Sequence, residues 1–77
     1  MVDTYLKSKN IYLNGRRTSV RLEPAILAGL EFICKYENIT MTELVRRAMA
    51  NRPGARPVNA LREYPLEWFR RKAGMMD

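Results

Sequence analysis

The chain has 77 residues, carries a formal net charge of +6, and contains one cysteine and no histidine. That size allows one small domain, often marginal alone. A disulfide framework is excluded by the single Cys34, and a histidine-dependent metal or catalytic site by the lack of histidine. Oligomerisation is then the expected source of extra burial.

Residues 1–10 read as a polar, flexible, basic arm in which Lys7 and Lys9 could follow DNA phosphates. No acid lies between Asp3 and Glu23, whereas Lys7, Lys9, Arg16, Arg17 and Arg21 all fall there. This distribution favours an acidic partner, nucleic acid first. The N-terminus lacks the apolar core of a signal peptide, and no apolar run approaches the ~20 residues that span a bilayer. With one unpaired thiol, a reducing compartment is expected, so a cytoplasmic location follows.

Ile11-Tyr12-Leu13 is a short strand-like run, followed by Asn14-Gly15. Asn-Gly between two such runs signals a type I′ hairpin. Either residues 11–13 fold back onto 16–18, or the turn only redirects the chain into the next strand. That strand, Arg16–Leu22, alternates. Val20 and Leu22, with Thr18, point to one face, while Arg17, Ser19 and Arg21 point to the other. A one-residue shift would bury two arginines, so the outward set is Arg17, Ser19 and Arg21.

A first helix is predicted over 24–37. Pro24 suits the first helical position, and Glu23 lies at the positive end of the helix dipole. Ile26, Leu27, Leu30, Ile33 and Cys34 form one apolar stripe. Phe32 lies off it, either exposed or packed on a C-terminal segment. Asn38 suits a left-handed cap. A second helix is predicted over 41–51. Thr40 and Glu43 have capping-box spacing, and Ile39 and Leu44 that of a hydrophobic staple. Met41, Leu44, Val45 and Ala48 make its buried face, with Arg46 and Arg47 turned away. Residues 52–58 read as a linker, and 59–77 as a helical extension. Leu61, Tyr64, Pro65 and Trp68 share a face there, and Pro65 is expected to break or kink it.

The order strand, helix, turn, helix leaves the strand without a partner. Pairing with its own twofold copy satisfies both its edges and its apolar face, giving an isologous homodimer. The two-stranded ribbon that results fits the major groove, where Arg can bond guanine O6 and N7 together. The start of the second helix offers unpaired N–H groups to a phosphate, with Thr40 and Thr42 adding hydroxyls.

Residues Arg17-Thr18-Ser19-Val20-Arg21-Leu22-Glu23-Pro24 and Thr40-Met41-Thr42-Glu43-Leu44-Val45 resemble the signatures of ribbon-helix-helix (Arc/MetJ-type) DNA-binding proteins. Asn14–Glu23 is similar to a small bacterial branch carrying a short third helix, which Asn59-Ala60-Leu61-Arg62 resembles. The resemblance covers about residues 14–70. It implies a mainly α fold: one short strand pairing antiparallel with its copy, two helices, and a C-terminal helical segment, with 11–51 as the ribbon-helix-helix domain. It implies a homodimeric transcriptional repressor of bacterial or phage origin, at the nucleoid. Base contacts then fall on Arg17, Ser19 and Arg21, and phosphate contacts on Arg16, Thr40, Met41 and Thr42. The alternative is an antitoxin whose residues 59–77 bind a protein partner. No cofactor and no metal are expected. Without a base near Ser19, a phosphate loop or paired carboxylates, enzyme chemistry is not expected.

Overall fold

The computed structural model of the chain describes residues 6–75. Two strands, β1 (Lys7–Leu13) and β2 (Arg16–Leu22), precede three helices, α1 (Pro24–Glu37), α2 (Met41–Asn51) and α3 (Pro57–Met75). The sheet is a single antiparallel hairpin, paired from Leu13↔Arg16 at the turn to Lys7↔Leu22 at its open end. Asn14 (φ 55°) and Gly15 (φ 79°) both lie at positive φ, the signature of a type I′ turn, whose twist matches that of the strands.

This departs from the one-strand expectation. Of the two readings of Asn14-Gly15, the chain takes the hairpin, and the pairing extends past residues 16–18 along the whole of β2. One edge of β2 is therefore occupied by β1, not by a copy. Residues 7–10 of the expected flexible arm are strand, because β2 offers them an unpaired edge across a two-residue turn. Residues 1–5 of that arm, and 76–77 of the expected C-terminal extension, lie outside the described residues.

Pairing sets the faces. Ile11, Val20 and Leu22 are buried against the helices, and Thr18, Leu13 and Lys9 are half-buried on the same side. β1 lies beside α2, and β2 beside α3. Beneath the hairpin, Leu27, Leu30 and Ile33 of α1 meet Leu44, Val45 and Ala48 of α2 in one core. Ile26, Cys34, Ile39 and Met41 pack at its margin. Burial pushes the Cys34 thiol up from its ordinary value, with Glu31 adding to the effect, so the thiol stays protonated at neutral pH.

Helix ends follow local chemistry. Glu23 is the extended residue before α1, and its carbonyl accepts from Leu27 N–H at 3.0 Å. Asn38 takes the left-handed conformation (φ 59°), and Ile39 N–H closes on the Cys34 carbonyl at 3.0 Å. Thr40 Oγ1 accepts from Glu43 N–H at 3.1 Å. The reciprocal half of the capping box is missing: the Glu43 carboxylate turns to Arg46 and Arg47 instead.

α3 runs through Pro65 without interruption, contrary to the expected break. It also begins at Pro57, two residues before the expected extension, with Arg56 carbonyl accepting from Asn59 and Ala60 N–H at 3.0 Å each. An internal proline costs a helix about 3 kcal/mol locally. Burial of Ala60, Leu61, Tyr64 and Trp68 on one face offsets that cost. Pro65 is itself buried against α1, where a Cβ on Gly29 would lie 3.6 Å from Pro65 Cβ. Phe32 does pack on the C-terminal segment, 5.8 Å from Phe69 and edge-on to Trp68 at 6.2 Å.

Candidate nucleic-acid interface

The hairpin has a second face, turned from the core. β2 places Arg17, Ser19 and Arg21 on it, all exposed. β1 places Ser8, Asn10 and Tyr12 on it, also exposed, directly opposite as Ser8↔Arg21, Asn10↔Ser19 and Tyr12↔Arg17. Opposed side chains of such pairs have Cβ atoms roughly 4.5–5.5 Å apart, so six side chains form one compact polar row-pair. The expected outward parity of β2 is therefore present, with a neutral row beside it.

Arg16 is exposed next to the turn, opposite Leu13 and so on the other parity from Arg17. Lys7 is exposed near the open end. Lys9 is half-buried opposite Val20, on the core-facing side, and so stands apart from the outward row. At the start of α2, Thr40 and Thr42 are exposed. Met41 is not: its side chain packs against the core, so only its N–H faces outward with the first turn.

Charge is divided between the layers. Glu43 holds Arg46 at 2.6 Å and Arg47 at 3.0 Å, and Glu37 holds Arg47 at 3.1 Å. Arg47 thus bridges α1 and α2, where an outward-facing side chain was expected. Glu23 holds Arg62 at 3.3 Å, and Arg52 pairs with both Glu63 and Glu67. These pairs lie within the helical layer and its entry residue. Among the described residues, Arg16, Arg17, Arg21 and Arg56 enter no ion pair. Lys35 and, near the end of α3, Arg70, Arg71 and Lys72 also enter none, so unpaired positive charge lies both on and beside the hairpin and in a second group on the helices.

The acids respond to their partners. Hydrogen bonds from Arg46, then Arg47, lower Glu43 from 4.5 to about 2. The Trp68 indole first, then Arg47, hold Glu37 below its ordinary value. A carboxylate depressed on folding contributes stability above its unfolded pKa and loses it as pH falls through the folded one. Folding stability should hold down to about pH 4.5 and then decline toward about pH 2. Urea denaturation across that range checks this, and Glu43→Gln should flatten part of the decline.

Two grooves flank the hairpin. One lies between the β1 edge and α2, lined by Tyr12, Asn14, Thr42 and Arg46. The other lies along the β2 edge, lined by Ser19, Arg21, Arg56 and Pro57. Sequence reasoning missed Arg46 and Arg56 here, and the β1 row with them. The hairpin is two strands wide, polar and cationic outward and backed by a helix pair, and the major groove admits a ribbon of that width.

A ribbon-helix-helix domain model matches residues 6–67. The chain belongs to the ribbon-helix-helix family. The match begins at the residue before β1, so it takes in the whole hairpin, and it extends through most of α3. No curated protein and no solved structure matches the chain. Ribbon-helix-helix proteins are DNA-binding regulators that generally form dimers, and the fold is not an enzymatic one. No helix among the described residues is long and apolar enough to cross a membrane.

Proposed function

We propose that this ribbon-helix-helix protein binds double-stranded DNA sequence-specifically, as a homodimeric transcriptional repressor acting at the nucleoid in the cytoplasm. The observation that carries this reading is the outward face of β2. Arg17, Ser19 and Arg21 stand exposed and outside the ion pairs of the described residues, while the nearest acid in the chain, Glu23, pairs with Arg62. Arg17 and Arg21 can each grip guanine O6 and N7, and Ser19 can donate or accept at a base edge. Arg16, Lys7, the Thr40 and Thr42 hydroxyls and the N–H groups of Met41 and Thr42 supply phosphate contacts.

For the antitoxin reading α3 is divided: Ala60, Leu61, Tyr64 and Trp68 are buried within the chain, while Leu66 and Phe69 are exposed and offer a partner surface. Selection of bound duplexes from random DNA tests the function. The expected result is an enriched motif repeated in inverted orientation, bound by two chains in sedimentation. Binding with no enriched motif would reject sequence-specific regulation.

A further inference from the structure

The helical layer carries an apolar surface that the hairpin leaves open. β1 lies against α2 and β2 against α3, while α1 packs on α2 and α3. Along the outer side of α1, Ala28, Phe32 and Tyr36 recur one turn apart and are all exposed. Phe32 and Tyr36 are 50% and 62% exposed, which takes both out of the core. Along α3, Leu66, Phe69 and Ala73 recur in the same way and are also exposed. The two stripes meet beside Gly29, where a Cβ would lie 3.6 Å from Pro65 Cβ and 3.8 Å from Phe69 Cε2. Phe32 stacks on Phe69 at 5.8 Å and lies 6.0 Å from Tyr36. The exposed rings therefore form one shelf across two helices. Single exposed apolar residues are ordinary, but a contiguous group rimmed by charge marks a binding surface.

We propose that this shelf docks an acidic, amphipathic peptide segment of another protein. Its apolar side chains cover the rings, and its carboxylates meet the surrounding cations. The site lies apart from the outward face of β2 and does not rest on the DNA-binding reading.

Charge selects this occupant. Lys35 follows Phe32 by one turn, Arg70 follows Leu66 by one turn, and both are exposed. Lys72 Nζ lies 5.2 Å from the centroid of the Tyr36 ring. Among the described residues none of the three enters an ion pair. The neighbouring acids are mostly committed, Glu37 to Arg47 and Trp68, and Glu67 to Arg52. Glu31, beside Phe32, is exposed and outside those pairs, so three cations stand against one free acid.

Other occupants fit less well. Each chain carries +6, and two shelves set face to face would oppose their cations. A nucleic acid would pair the cations but leave Leu66 and the alanines uncovered. Base stacking also needs free ring faces. Phe32 and Phe69 cover one face of each other, and Lys72 stands over Tyr36. An amphipathic helix with acids beside its apolar stripe satisfies the rings and the cations together.

Random peptides displayed on phage and selected against the full chain test this. The expected result is a set of sequences that interleave Asp or Glu with Leu, Phe or Trp. A selected peptide, labelled and titrated by fluorescence anisotropy, should bind more weakly as salt rises, because exposed pairs are screened. The double variant Lys35→Glu with Arg70→Glu should weaken it by roughly tenfold or more. Leu66→Ala should weaken it by about fivefold. These three side chains are exposed, so thermal melting should stay close to wild type. Arg17→Ala and Arg21→Ala should leave peptide binding unchanged. Selection without an acidic consensus overturns the proposal, and so does an equal loss in the two hairpin variants, which would reduce the interaction to net charge. A dimer in sedimentation that the double variant dissociates would give the shelf to a second copy. Binding of oligothymidylate or of phosphatidylserine vesicles in place of peptide, lost in the double variant, would give it to a single strand or a lipid surface. Each of these outcomes overturns the proposal and leaves the DNA-binding reading standing.

Discussion

Replacing Trp68 with alanine is expected to cost about 3–5 kcal/mol of folding stability. The side chain is 3% exposed and stands edge-on to Tyr36, Phe32 and Phe69, with centroids at 5.3, 6.2 and 4.9 Å. Its Nε1 donates to Glu37 Oε2 at 2.8 Å, tying α3 to the last residue of α1. Lys72 Nζ lies 5.2 Å from its ring, adding a cation–π contact. Small domains hold about 5–15 kcal/mol in total, so this loss would leave the chain near its unfolding threshold. Trp68→Phe keeps most of the buried area and forfeits the hydrogen bond, at a cost of about 1 kcal/mol. Urea denaturation separates the two variants. If Trp68→Ala unfolds like wild type, α3 is a detachable tail and its place in the core is wrong.

Much of this architecture is legible in the residues because it is set locally. α1 and α2 fall on the predicted spans, since Pro24, Asn38 and Thr40 act within one turn of their own positions. The parity of Arg17, Ser19 and Arg21 is equally local, because period 2 leaves only one face for Val20 and Leu22. β1 was harder. Lys7-Ser8-Lys9-Asn10 has no apolar alternation, and its strand exists because β2 offers an edge across the Asn14-Gly15 turn. The available signal was the turn itself, extended to its full register. Pro65 misled in the opposite direction: a strong local rule was outweighed by burial against α1, which no local window contains. Arg46 and Arg56 were visible as charges. Their placement at opposite edges of the hairpin depends on how α2 and the start of α3 pack, which is tertiary information.

Arg17→Ala and Arg21→Ala carry the largest expected effect on function, about 1–3 kcal/mol each, or roughly 5- to 150-fold in affinity for the selected site. Each should also relax preference at one base position, because a bidentate fork to guanine is lost while neighbouring contacts remain. Both side chains are exposed and outside the ion pairs of the described residues, so thermal melting should be unchanged. That combination separates a reading residue from a structural one. Lysine sharpens the comparison further. Arg17→Lys and Arg21→Lys retain the charge, so the salt slope should persist while discrimination falls, because an ammonium cannot present the planar fork. Equal binding of all four variants to selected and scrambled duplexes would show that the outward face of β2 does not read sequence.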